Sequence, residues 1–217
     1  MSAVKRISVL LVDDHAVVRE GYRRLLERSS DIHVVGEAAS AAEAYQVFSQ
    51  VCPDVVVMDI SMPDVSGIEC LRRLLLREPR ARILAFSMHD EAIFPNRALK
   101  AGAAGYVTKA SAPEVLVDAV RTVARGETFL SSDIAGTLAV QGLACRDSAL
   151  EKLSTREFEI ARLLAMGHPV RVIAEMLSLN YKTVANHQSI IRQKLGAETP
   201  AQLIRIATRN GLLADPG

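Results

Sequence analysis

Residues 55–59 read Val55-Val56-Val57-Met58-Asp59. Four consecutive apolar residues, three of them β-branched, end at a carboxylate. That is the pattern of a strand buried on both faces of a parallel sheet and stopping at a polar rim. The same grammar repeats outward from it. Strand-length apolar runs stand at Ile7–Val12, His33–Val35, Ile83–Phe86 and Gly105–Val107, spaced by about 25 residues. Helix-length segments lie between them and carry start signals. Ser40-x-x-Glu43, Ser66-x-x-Glu69 and Ser111-x-x-Glu114 read as capping boxes. Pro113 falls in a first turn, where its missing N–H costs little. Leu116, Ala119, Val120 and Val123 then make one apolar helix face. The alternation predicts a doubly wound α/β domain, (βα)5, around a central five-stranded parallel sheet.

In such a sheet, ligands bind beyond the C-terminal ends of the strands. The residues following the runs are Asp13 and Asp14, then Asp59, then Ser87, then Thr108 and Lys109. Three bare carboxylates on one rim repel, and a bound cation relieves that repulsion. Hard oxygen donors that leave room for phosphate oxygens suit Mg²⁺, with Lys109 and Ser87 facing the remaining phosphoryl oxygens. The set matches the needs of aspartyl phosphorylation: Asp59 as carboxylate nucleophile, and Mg²⁺ on Asp13 and Asp14 to offset charge during transfer. Lys109 is expected as an exposed rim lysine worth little to stability. Strand-end aspartates often serve only as helix caps, but several matching residues at four strand ends disfavour that plainer reading.

The C-terminal part is organised differently. Residues 127–149, rich in Ala and Ser with Gly136 and Gly142, read as a linker holding one weak helix over roughly 132–142. The expected division is therefore 1–126, linker 127–149 and 150–217. Four helices follow the linker. Ser154-x-x-Glu157 is a capping box, and Gly167 stops its helix. Pro169 opens the second, Asn180 caps the third, Gly196 ends it, and Thr199-Pro200 starts the fourth, which Gly211 closes. Ser178-Leu179-Asn180 is a turn of helix-turn-helix length. In such a unit the second helix enters the major groove. That helix carries Lys182, Thr183, Asn186, His187, Gln188, Arg192 and Lys194. Asn186 and Gln188 are suited to base edges, and Lys182, Arg192 and Lys194 to phosphates. Val184, Ile190, Ile191 and Leu195 supply its buried side. A plain helical bundle with a polar face is the rival reading.

Charge agrees with this division. Residues 1–150 carry 17 Lys/Arg against 19 Asp/Glu, and residues 151–217 carry 9 against 6. A small basic piece behind a slightly acidic one points toward an anionic partner. Cys52, Cys70 and Cys145 are scattered and odd in number, which argues against a disulfide framework or a Cys-x-x-Cys metal motif. No apolar run approaches the roughly 18 residues of a membrane span, and the apolar start is too short for a signal peptide. A reducing cytoplasm without membrane insertion is the expected setting.

Leu11-Val-Asp-Asp-His15, Met58-Asp-Ile-Ser-Met-Pro-Asp-Val-Ser-Gly-Ile-Glu69 and Ala101-Gly-Ala-Ala-Gly-Tyr-Val-Thr-Lys109 resemble the receiver domain of bacterial response regulators. The resemblance implies a phosphoacceptor at Asp59 and metal ligands at Asp13, Asp14, Asp59 and the Ser61 carbonyl. It further implies a switch pair at Ser87 and Tyr106 and a phosphate lysine at Lys109. It also implies a cis peptide after Lys109. Ala110 stands there in place of proline, and a cis bond would then cost about 3 kcal/mol, so the isomer stays open. Leu153-Ser-Thr-Arg-Glu157, Ile173-Ala174, Lys182-Thr-Val184, Asn186-His187 and Lys194-Leu-Gly196 resemble the LuxR-type DNA-binding domain. Together they are similar to the NarL/FixJ class. That class implies a phosphorylation-activated transcription factor, not an enzyme, with Mg²⁺ as cofactor. Its implied partners are a sensor histidine kinase, double-stranded promoter DNA, a second copy on DNA and RNA polymerase. Leu203, Ile204, Ile206 and Ala207 are the implied dimer helix. Ala185 stands where the family often has a groove-facing lysine, so that contact does not carry over. The alternatives are a regulator of the same fold working without phosphorylation, and a phosphatase forming an aspartyl-phosphate intermediate. The phosphatase lacks its Asp-x-Asp after the first strand.

Overall fold

A computed structural model describes residues 6–62, 67–141, 149–177 and 179–209. The chain forms two compact units, the first reaching Thr137 and the second beginning at Leu138. Expectations resting on Ser66, Gly142, Cys145, Ser178, Asn210 or Gly211 lie outside the described residues.

The first unit is a parallel sheet in the order β2-β1-β3-β4-β5-β6. Its strands are β1 (Ile7–Val12), β2 (Ile32–Ala38), β3 (Val55–Asp59), β4 (Ile83–Ser87), β5 (Gly105–Thr108) and β6 (Phe129–Leu130). The helices are α1 (Ala16–Glu27), α2 (Ala41–Val51), α3 (Gly67–Arg77), α4 (Ile93–Lys100), α5 (Pro113–Ala124) and the start of α6 (Ser132–Gln141), which belongs to this unit as far as Thr137. Side chains alternate across a strand, and both sheet faces are apolar. Val9, Leu11, Val55, Val57, Leu84, Phe86 and Val107 pack with Leu26 of α1 and with Leu116, Val120 and Val123 of α5. On the other face Leu10, Val56, Met58, Ala85 and Tyr106 are equally buried.

The sheet has six strands rather than five. Phe129 pairs with Gly105 and Leu130 with Tyr106. A two-residue strand leaves almost no periodic signal, so it reads as linker in the sequence. Gly105 makes the approach possible, because a side chain there would meet the Phe129 carbonyl. The helix expected over 132–142 begins at Ser132, and its Ile134 is fully buried. Residues 129–137 thus belong to the first unit.

The second unit is all helical: a short 3-10 turn at Ala149–Lys152, then α7 (Thr155–Ala165), α8 (Val170–Met176), α9 (Tyr181–Leu195) and α10 (Pro200–Arg209). The expected punctuation is present. Ser154 and Glu157 form a reciprocal capping box, and the Asn180 side chain accepts from the Lys182 N–H. Gly196 takes the left-handed conformation after α9. The core includes Leu153, Phe158, Ile173, Val184, Ile191, Leu195, Leu203 and Ala207. Ile190, expected on the buried side of α9, is 39% exposed. It neighbours Ile191, and adjacent helical residues point about 100° apart, so both cannot face one core. Leu203 and Ala207 lie four residues apart on the face of α10 that packs inward, so they close their own unit. Of the expected dimer residues, Ile204 is exposed and Ile206 half-buried.

Candidate functional site

Three strands end in carboxylates or a hydroxyl because each strand stops where its buried apolar run stops. Register aligns these ends: Val12 lies opposite Met58, Asp59 opposite Phe86 and Ser87 opposite Thr108. α3 starts directly against Asp59. A Cβ on Gly67 would overlap the Asp59 carbonyl and Ile60 Cα, so only glycine lets α3 pack this close.

Lys109 closes the cluster. Its Nζ donates to Asp13 Oδ2 at 2.6 Å and to Asp59 Oδ2 at 2.7 Å. The lysine side chain is 8% exposed, those of Asp13 and Asp59 7% and 3%. The expectation of an exposed rim lysine is therefore corrected. The ammonium lies over the Phe86 ring, 5.7 Å from its centroid. Tyr22 meets that ring edge-on. Burial pushes the Asp59 carboxyl above its ordinary range despite Lys109. Burial also pulls on the Lys109 ammonium, but Asp59 and Asp13 outweigh it and hold that group above its usual value.

The remaining predicted residues gather around this pair. The Ser61 N–H donates to Asp59 Oδ1 at 2.7 Å, and Ser61 Oγ stands 3.2 Å from Ser87 Oγ. Ser87 is fully buried and accepts from the His89 N–H at 3.1 Å. Tyr106, also fully buried, donates its hydroxyl to the His89 carbonyl at 2.7 Å. One residue's backbone therefore holds both, a clamp that sequence spacing does not signal. Thr108 turns away from the cluster, hydrogen-bonding Ser111 and Asp133 at the start of α6. The described residues contain no cis peptide, so the bond after Lys109 is trans.

Whether a divalent cation fits can be tested on the donors. Asp13, Asp14, His15 and Asp59 bring ligand atoms within 4.8 Å of one another. Asp14 Oδ1 is buried and accepts no hydrogen bond. Hard carboxylate oxygens, one of them orphaned, fit Mg²⁺.

In the second unit α9 carries the residues expected to face DNA. Lys182 and Asn186 are exposed, while Thr183, His187, Gln188 and Arg192 are half-buried. His187 Nδ1 is buried without a hydrogen bond, so that nitrogen faces the domain. Lys194 differs from expectation. Its Nζ grips both Glu157 oxygens at 2.6 and 2.9 Å, because Glu157 is buried by its capping role and needs a cation. Tyr181 is exposed at the start of α9.

Residues 9–121 match the family described as response regulator receiver domain, and residues 151–207 the bacterial regulatory proteins of the luxR family. The chain is 39% identical over 210 residues to the transcriptional activator protein ExaE of Pseudomonas putida, covering 95% of this chain and 98% of that one. It is 38% identical to the response regulator UvrY of Escherichia coli, covering 95% of each. A two-component response regulator of the LuxR family from Aurantimonas sp. superposes with a TM-score of 0.62 at 45% identity, covering 64% of this chain and 99% of that one. RcsB of Salmonella enterica serovar Typhimurium, bound to promoter rprA with the phosphomimetic BeF3-, superposes at 0.66 with 25% identity. That match covers 93% of this chain and 98% of RcsB.

Proposed function

The chain belongs to the response regulators that join a receiver domain to a LuxR-type DNA-binding domain, and from that premise we propose that phosphorylation of Asp59 controls its binding to promoter DNA. A receiver implies a histidine kinase as donor, and the family is one of DNA-binding regulators rather than enzymes. The observation carrying the proposal is the buried Asp13–Lys109–Asp59 bridge at the strand ends. An Asp59 oxygen attacks phosphorus as the donor's P–N or P–O bond breaks, and the leaving group keeps that electron pair. Lys109 exchanges one carboxylate partner for a phosphoryl oxygen and stays paired throughout. Asp13, Asp14 and Asp59 would hold Mg²⁺, together with the Ser61 carbonyl that the family assigns. Bound there, Mg²⁺ supplies charge neutralisation for transfer.

The readout uses the His89 clamp. When Ser87 Oγ turns to donate to a phosphoryl oxygen, its acceptor geometry toward the His89 N–H is lost. The loop carrying that N–H also carries the carbonyl that Tyr106 grips. A change at Asp59 therefore reaches the receiver surface. α9 supplies the groove contacts: Asn186 and Gln188 toward bases, Lys182, Arg192 and Thr183 toward phosphates. Two copies on DNA, RNA polymerase as a further partner and a cytoplasmic setting complete the reading.

Incubation with acetyl phosphate tests it. Wild-type protein should become labelled only with Mg²⁺, and Asp59→Asn not at all. Undiminished labelling of Asp59→Asn would mean that the acceptor is another residue. Steady turnover of added phosphomonoesters would instead favour the phosphatase reading.

A further inference from the structure

Asp13 is gripped at every polar atom, and one of its partners stands outside the strand-end cluster. Its N–H donates to the Ala38 carbonyl on β2 at 3.1 Å. Its Oδ1 accepts from the His15 N–H at 2.8 Å, and its Oδ2 from Lys109 Nζ at 2.6 Å. Its carbonyl accepts from Arg19 Nη1 at 2.6 Å. Arg19 lies near the start of α1, and its Nε donates to Glu37 Oε2 on β2 at 2.9 Å. Glu37 Oε1 is held in turn by Arg23 at 2.8 Å. The Arg19 side chain is only 16% exposed. Two N–H donors on one rigid plane thus bind two acceptors from different segments, a task that a single ammonium on a flexible stem does not match. The Glu37 carboxylate offsets the guanidinium charge, so Arg19 fixes position more than it alters the field at the cluster.

Position matters because Lys109 does not hold Asp13 throughout the reaction. Lys109 bridges Asp13 and Asp59 here, and a phosphoryl group on Asp59 takes one of those places. A cation entering the cluster competes for the same carboxylate oxygens. Once Asp13 Oδ2 is released from Nζ, a backbone free to shift would carry the carboxylate away from the cation. The Arg19 bond competes with neither event, since it uses the main-chain oxygen. We propose that Arg19 is a positioning residue for phosphorylation of Asp59. It holds the Asp13 main chain, and through it the Asp13 carboxylate, while Lys109 changes partners. The proposal rests on reading Asp59 as phosphoacceptor and the neighbouring aspartates as cation ligands.

Arg19→Met keeps most of the side-chain stem and removes both donors, whereas Glu37→Gln keeps an acceptor for Nε. Both are compared with the wild type as full chains. Mn²⁺ is the probe, suited by the same oxygen donors, and EPR of the free ion gives its affinity without any phosphodonor. Arg19→Met should weaken Mn²⁺ about tenfold, the usual cost of losing a partner that orients a ligand. The Mg²⁺ concentration for half-maximal labelling by acetyl phosphate should rise by a similar factor, and saturating Mg²⁺ should restore most of the labelling rate. Glu37→Gln should shift both quantities far less. A purely structural role lowers the melting temperature and leaves both quantities unchanged, and that result overturns the proposal. If Arg19→Met does not fold, Arg19→Lys decides: it keeps the charge but not both bonds, so weaker Mn²⁺ binding supports the proposal and wild-type affinity overturns it. Normal labelling of the wild type with unchanged Mn²⁺ and Mg²⁺ dependence in the variants removes the role of Arg19 alone. Absence of Mg²⁺-dependent labelling in the wild type overturns the Asp59 reading and the proposal with it.

Discussion

Lys194 shows how a single residue's role depends on what lies across from it. In the sequence it is one more cation on a groove-facing helix. In the structure it neutralises Glu157, whose side chain is 7% exposed. Burial raises the Glu157 carboxyl, but hydrogen bonds from Lys194 and Ser154 outweigh it and hold the group below its ordinary value. A depressed carboxyl contributes stability above its unfolded pKa, and that contribution fades as pH falls through the folded value. Lys194→Met should therefore destabilise the second unit by about 1–3 kcal/mol at neutral pH, at the lower end because Lys194 is itself 38% exposed. Denaturant unfolding at a series of pH values checks this. The gap between wild type and variant should narrow below about pH 4. DNA binding by the folded variant should keep its salt slope; a flatter slope would show that Lys194 does touch phosphate.

At the scale of elements, β6 and α6 are the additions to the expected fold. β6 satisfies the β5 edge, Ile134 fills the core, and the Thr108–Asp133 hydrogen bond anchors the start of α6. A receiver fragment ending at Gly126 exposes the β5 edge and empties the Ile134 site. The fragment 1–126 should thus melt several degrees below 1–137, since losing one buried aliphatic side chain alone costs about 2–5 kcal/mol. Equal melting temperatures would mean that these residues do not dock. The legible elements were those with long apolar periods or strong caps. β3, α5 and α7 announce themselves by four apolar residues, an apolar face and a capping box. β6 has neither length nor punctuation.

The whole molecule joins two units that each own a core. The second has caps at both ends of α9 and buried residues from α7 to α10. It should therefore fold and bind DNA as the fragment 150–217. With Lys194 committed to Glu157, Lys182 and Arg192 are the main phosphate candidates. At about −0.9 per neutralised phosphate the salt slope should be roughly −2 for one unit and roughly −4 for two on a paired site. Titrations of fragment and unphosphorylated full chain on one duplex at several salt concentrations check both points. If the fragment binds no better than the full chain, the receiver does not restrain DNA binding. A slope much steeper than −4 would mean that further cations are engaged.

The amino-acid sequence alone determined the alternation of strands and helices, the parallel sheet, the rim residues and the helix-turn-helix. These follow from local rules: apolar runs that end at polar residues, caps at fixed spacing, and glycines where the chain turns. Only the tertiary structure decided which charges meet. It buried Lys109 between two aspartates, tied Lys194 to Glu157 and set His89 between Ser87 and Tyr106. Those partners lie up to 96 residues apart, and no local periodicity encodes them. Pairing strength depends on burial, and burial exists only once the sheet and helices have packed.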